Sequence, residues 1–448
     1  MATTRIYRTP ASASAGTIWT VSMWIKGGAT SANQILFSAD TGGSFTFRTY
    51  VELQSSGVLN FGGVDNGNTN GSLATTRVFR DPSAWYHLVF VWDNANATSA
   101  DKMIIYVNGV RETAVTYTAP TTNSRWNMNN RTEIGSRHGG DRFFSGEMSH
   151  VHNCDGYAYA ASDFGETDAT DGMWKIKTAP SVSYGTNGFF LKMEDSSNMD
   201  LDSSSNGHTF TTAGTLTATN DNPDNNMSTL SPLIPFPSGL TMTNGNTSIA
   251  STATQWAGRY STQRVFSGKY YVEAQFVSTG DNFKFGVQGF DIAETANWST
   301  LNTSYAGKSA VGYEYQCNNG SGYKVNNNSS PTWTNANFTP ATSTIMMAFD
   351  LDNGKIWWGR NGTWFNTSGT ANPATGTDAA FTGISTDNSP YLFGLSLEGN
   401  GSSSHINFGN GYFGTTAIGS PVTSNEGTWA YAPPTGFGAV NTKWINTF

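Results

Sequence analysis

Cleaving a glycosidic bond on a β-sandwich takes two carboxyl groups about 5–9 Å apart across a cleft, one acting as acid and the other as nucleophile or base. On a strand this means Glu or Asp at alternate positions within an apolar run. The nearest approaches in this 448-residue chain are Glu166-Thr-Asp168 and Glu194-Asp195. The first pair lies in a Gly/Asp-rich turn, read as a solvated linker face. In a strand the second pair would point to opposite faces. No Gly-x-Ser-x-Gly elbow and no Ser–His–Asp arrangement is readable, so the sequence predicts no catalytic residue.

Two metal chemistries come next. His150 and His152 would share one strand face at a spacing able to chelate zinc, and Cys154 continues that face. No third ligand of matching context accompanies them, and histidines hydrogen-bonded at a strand edge are the plainer reading. Asp200, Asp202, Ser204 and Asn206 alternate oxygen groups before Gly207, like the first half of a calcium loop. The carboxylate that should close such a loop is missing, because position 12 from Asp202 is Ala213. Asp200, Asp202 and Asn206 are therefore weak Ca2+ candidates beside an Asx-rich turn, and no other cofactor is implied.

Glycan binding has the widest set of candidates. A sugar offers a flat C–H face to an aromatic ring and hydroxyls to amide groups. Trp126, Trp298, Tyr323, Trp333 and Trp364 fall outside alternating strand segments, several among amide-rich neighbours such as YKVNNN (323–328) and PTWTNAN (331–337). The competing reading is that each ring packs over a sandwich end.

Strands must position these residues. Lys102–Arg111 (KMIIYVNGVR) and Thr344–Gly359 (TIMMAFDLDNGKIWWG) set apolar runs against Asn108-Gly109 and Asn353-Gly354. Asn and Gly best tolerate the positive φ that a type I′ turn needs at both central positions. Asn361-Gly362 is a third such pair. In Ile18–Ile25, Trp19, Val21, Met23 and Ile25 share a face. Leu88–Trp92 is apolar on both faces, as in a central strand covered on both sides. In Lys269–Phe276, Tyr270, Val272, Ala274 and Phe276 face one way, with Lys269, Glu273 and Gln275 opposite. Short strands at this spacing, with almost no helical periodicity, predict antiparallel sandwiches.

Composition agrees. Charged residues are 12%, against about 25% in a typical domain. A net charge of −8 without basic runs gives no nucleic-acid surface. Aromatics at 13% argue against disorder. Two cysteines and an N-terminus without an apolar secretory core predict synthesis in a reducing cytoplasm. No apolar run is long enough to cross a membrane as a helix. The organisation expected is an arm at 1–17, a first sandwich at 18–165, a β-containing join at 166–235 and a second sandwich with a C-terminal tail at 236–448.

The segments IWTVSMWIK, AWYHLVFVWD, MIIYVNGV and EIGSRHGGDRFFSGEMSHV resemble LamG-like jelly rolls of the concanavalin A type. SGKYYVEAQF, SAVGYEY, SGYKVN, MMAFDLDNGKIWWGRNGTWF and SHINFGNGYF resemble the SPRY fold, and the tail WAYAPPTGFGAVNT looks like the end of SPRY domains in viral proteins of bacteria. The pairing resembles tail-fibre or appendage proteins of bacteriophages, supported by RIYRTPASASAGTIWTVSMWIK, HVHNCDGYAYAASDFGE and GTNGFFLKMEDSSNMDLDSSSNGHTF. The resemblance implies an all-β, two-sandwich virion protein, not an enzyme. It would be made in the host cytoplasm and would attach multivalently to a host-surface glycan or protein. Its partners would be other virion proteins and copies of itself, a trimer being the assembly suggested. LamG-type domains often carry calcium in their loops. A purely structural capsid-decorating or tail-scaffold protein is the alternative, and a glycan-degrading enzyme the third reading.

Overall fold

The computed structural model describes residues 4–447 apart from 29–31, 43–45, 171, 234–238, 253, 278–281, 290–304, 319, 334–335, 338–342, 368 and 386–389. The predicted fold class is the observed one: all-β, with two antiparallel sandwiches in series. The chain divides into two compact units, Met1–Ala218 and Thr219–Phe448. Among the described residues no helix is long and apolar enough to cross a membrane.

In the first unit one sheet runs Phe189–Leu191, Gly146–Asp155, Ile18–Gly27, Tyr86–Asp93, Met103–Val107 and Val110–Arg111. The other runs Val115–Thr118, Asn68–Val78, Val58–Asp65, Arg48–Leu53, Gln34–Asp40, Arg131–Ile134, Arg5–Arg8 and Thr211–Ala213. Their inner faces pack Trp19, Val21, Met23 and Ile25 with Leu88, Phe90 and Trp92, opposite Phe37, Val51, Phe61 and Leu73. Trp19 stacks on Trp92 with centroids 6.2 Å apart, and Phe37 meets Phe90 edge-on at 5.5 Å. Val89 and Val91 point the other way, into a second small core with Ala161 and Phe164, bordered by Tyr159, Trp174 and Tyr184. Both faces of that central strand are covered, as its sequence predicts.

Two predicted boundaries are corrected. Residues 1–17 are not an arm: Arg5–Arg8 pairs with Arg131–Ile134 and Thr211–Ala213, and Ile6 is buried in the core. Nor are residues 166–235 a separate join. Phe189–Leu191 completes one sheet, Thr211–Ala213 completes the other, and the hairpin of Gly165–Thr167 with Trp174–Ile176 brings Trp174 onto the outer face. From Thr219 onward the chain belongs to the second unit, where Leu230 is buried in the core. Gly188–Met193 reads as a strand in the sequence, but Arg5–Arg8 and Thr211–Ala213 do not, because strands of three or four residues carry too little alternation to read.

The second unit has one sheet in the order Leu240–Thr243, Ser248–Ser251, Ser403–Asn407, Lys269–Phe276, Thr344–Asp350, Lys355–Arg360 and Thr363–Trp364, with Phe381–Thr382 also paired to Lys355–Arg360. The facing sheet runs Ala257–Tyr260, Tyr391–Glu398, Asn282–Gly289, Gly312–Asn318 and Ser321–Val325. Tyr270, Val272, Ala274 and Phe276 line the core with Phe283, Phe285, Phe393 and Leu395. On the opposite face Tyr271, Met346, Ala348 and Trp357 are roofed by Trp429, Phe437 and Ala439 of the C-terminal tail.

Asn108-Gly109 forms the predicted two-residue turn, with φ of 47° and 84° between paired Val107 and Val110. Asn361-Gly362 does the same at 48° and 84° between Arg360 and Thr363. Asn353-Gly354 does not. There Asp350 pairs with Lys355 across a four-residue loop, and only Gly354 has positive φ, 59°. Asp350 is the reason: its carboxylate accepts from the Asn353 backbone N–H at 3.0 Å and from Asn353 Nδ2 at 2.9 Å, which fixes a wider loop.

Candidate functional site

On the outer face of Lys269–Phe276, Gln275 lies opposite Thr344 on one side and His405 on the other, and His405 lies opposite Ser248. Gln275 Nε2 donates to Thr344 Oγ1 at 3.0 Å. Asn244 Nδ2 donates to Ser248 Oγ at 2.9 Å, and Ser248 Oγ is 2.7 Å from His405 Nδ1. Ser248 Oγ and Nδ1 thus share the hydrogen bond that holds the ring, with Nε2 on its opposite edge. That edge lies against Gly414, where a Cβ would come within 2.8 Å of the ring. Burial lowers the His405 pKa from its ordinary value, which favours the neutral ring. Beside this polar row stand the short hairpin Tyr412–Phe413/Thr416–Ala417 and the segment Ala430–Tyr431. Phe413, Thr416, Ala417, Ala430 and Tyr431, with Phe276, Val277 and Ile418, line a groove of about 590 Å³, within the size range of ligand sites.

Glu273 holds the wall of this groove. Its carboxylate accepts from Ala430 N (2.9 Å), Tyr431 N (2.9 Å), Asn407 Nδ2 (3.0 Å) and Tyr271 Oη (3.0 Å). Burial pushes its carboxyl up to about 7, and the four donors pull against that shift. The sequence reading set Glu273 on a polar face. It is in fact wholly buried, because the tail folds over the sheet.

The predicted glycan residues among the described ones do not gather at one site. Trp126 is fully buried, tilted against Phe37 at 4.7 Å, with Nε1 donating to Asn153 Oδ1 at 2.9 Å. Trp333 is also buried, edge-on to Phe365 at 5.4 Å, its Nε1 donating to the Asn366 carbonyl. Both are corrected from surface to core residues: loop position in sequence did not mean exposure, since each ring packs into the core of its unit. Tyr323 and Trp364 are half-buried, and Trp298 lies outside the described residues. Trp364 packs at the rim of the roofed face, 6.3 Å from Tyr271, whose hydroxyl shares Glu273 with Tyr431. Gln275, His405 and Tyr431 were not foreseen as site residues. They come from three distant segments, and only strand register and the tail bring them together.

The metal candidates have structural partners. Asp202 accepts from the backbone N–H groups of Phe190, Ser204 and His208 at 2.8–2.9 Å. Asp200 accepts from Thr212 Oγ1 at 2.8 Å, and Asn206 Nδ2 donates to the Gly185 and Gly188 carbonyls. The three side chains brace a turn instead of converging. His150 has a φ of 50° at a bulge where the register shifts between Ser149 and His152, which breaks the alternation assumed for a shared face. His152 stacks on Phe190 at 3.8 Å and contacts Tyr184 Oη at 2.9 Å. Burial pushes the Cys154 thiol up. Among the described residues no group of three His, Cys, Asp or Glu could hold a metal ion.

The carboxylate candidates are each engaged separately. Lys175, 2.7 Å from Asp168, holds that half-buried carboxyl down to about 2. Glu194 pairs with Lys192 at 3.2 Å, and Asp195 caps its own turn through Ser197. Glu166 is exposed.

Residues 3–157 match the family described as the concanavalin A-like lectin/glucanases superfamily, laminin G type. The similarity to that family is confined to these residues. No curated protein matches the chain. Among solved structures, the SPRY domain of human HERC1 is 16% identical over 37% of this chain and 91% of its own, with a TM-score of 0.28. The TRIM65 PSpry domain is 12% identical over 40% and 88%, also at 0.28. Mouse laminin alpha1 domains LG4-5 are 9% identical over 87% and 78%, again at 0.28.

Proposed function

We propose that the chain is a non-catalytic binding protein, displayed in several copies on the outside of a bacteriophage virion as a fibre or appendage, that attaches to a host-surface glycan or protein. The observation carrying the binding reading is the open, ligand-sized groove with a fixed polar row on one side and aromatic and aliphatic groups on the other. The virion assignment rests on the sequence resemblance of both halves. Weak binding at each copy would be multiplied by factors of about 10²–10⁴ when several copies act together. Cell adsorption by the purified chain, alone and clustered on a bead, tests it. Retention on host cells that rises steeply with clustering supports attachment; no retention by any multimer, with normal infection after deletion of the gene, ends it.

A purely structural role as a capsid-decorating or tail-scaffold protein is the second reading. It is favoured by the burial of Trp126 and Trp333, which removes two of the aromatics a glycan surface would use.

A further inference from the structure

We propose that the groove between Gln275, His405 and Tyr431 is a binding site for an uncharged glycan segment, an inference that rests on the attachment reading and specifies its ligand. None of the described residues lining the groove is Asp, Glu, Lys or Arg. A charged ligand would lose part of its hydration there with no counter-charge in the lining to replace it. A wholly apolar ligand would cover the Gln275 amide and leave its remaining hydrogen-bonding groups unpaired. An uncharged sugar meets both demands. Its hydroxyls pair with the amide and imidazole, and its C–H face lies on the Tyr431 ring and beside Ile418.

The groove is also set in place before binding. Gln275 is held by Thr344, and His405 by Ser248 and by close approach of Gly414. Glu273 holds the Tyr431 backbone N–H, and the Tyr431 ring lies against Gly362, where a Cβ would come within 3.1 Å. Fixed side chains lose little freedom on binding, which favours even a weak, hydroxyl-rich ligand.

The test is an array of neutral and acidic bacterial surface oligosaccharides probed with the full chain, wild type and variants, beside host-cell adsorption. Binding confined to neutral sugars, lowered about tenfold or more by Tyr431→Ala and by Gln275→Ala and kept by Tyr431→Phe, is the expected result. Should Tyr431→Ala lower the unfolding midpoint, Gln275→Ala, a half-buried polar change, carries the comparison. Preference for acidic sugars, or sugar binding unchanged in both variants, overturns the inference. Adsorption to cells with no sugar retained also overturns it but leaves attachment through a protein standing. Absence of adsorption removes the attachment reading itself.

Discussion

The backbone N–H of Tyr431 donates to Glu273 Oε1 at 2.9 Å, tying an aromatic wall of the groove to the centre of a sheet. Three further donors share that carboxylate. Glu273→Ala strips all four of their acceptor and is expected to cost about 3–5 kcal/mol, whereas Glu273→Gln keeps one oxygen and costs less. Urea unfolding measures the difference, and limited proteolysis should show earlier cutting near residues 412–431 in the alanine variant.

Three buried imidazoles set an acid limit on the first unit. His87 accepts from Trp174 Nε1 at 3.0 Å and contacts Ser22 Oγ at 2.8 Å, and burial lowers its pKa to about 3. Burial lowers His150 to about 4 and puts His152 well below its ordinary value. The unfolded chain takes up these protons near pH 6.5, and the folded chain refuses them. Stability is therefore full above pH 6.5 and falls as pH drops toward 3, by at most about 1.4 kcal/mol per pH unit for each group. Unfolding free energy measured between pH 7.5 and 4 should show this slope, and His87→Gln should reduce it by about one proton.

Trp126 is a core residue, and its removal should read as stability. Trp126→Ala is expected to cost about 3–5 kcal/mol through the cavity left beside Phe37 and Trp19. Trp364→Ala, at a half-buried position, should cost less. Equal losses in thermal unfolding would contradict the assignment.

The first residues matter for the same reason. Ile6→Ala should destabilise the first unit by about 2–5 kcal/mol, and deleting residues 1–9 should do more by uncovering the edges of Arg131–Ile134 and Thr211–Ala213. Amide hydrogen exchange of Arg131–Ile134 reports both changes; protection unchanged by the deletion would show the strand to be dispensable.

Much of this fold could be read from local pattern. The alternation of Trp19, Val21, Met23 and Ile25, the two-sided apolar run at Leu88–Trp92 and the Asn108-Gly109 turn each encode their geometry within a few residues. What could not be read was set over longer range. Asn353 obeys Asp350 instead of its own turn preference. Glu273 looks solvated until the tail carrying Trp429 and Phe437 closes over it. Trp126 sits in a segment without alternation, and only the packed core shows it to be inside. The groove was illegible because His405 follows Gln275 by 130 positions and Tyr431 follows His405 by 26, with no local pattern linking them.

Tyr7 lies opposite Thr211 in the same sheet. A ribosome adds about 5–20 residues per second, so the opening strand waits on the order of tens of seconds for its last neighbour to be made. During that interval the nascent chain displays an unpaired sheet edge, and its yield in the cell should depend on chaperone supply and on translation speed through the first half of the message.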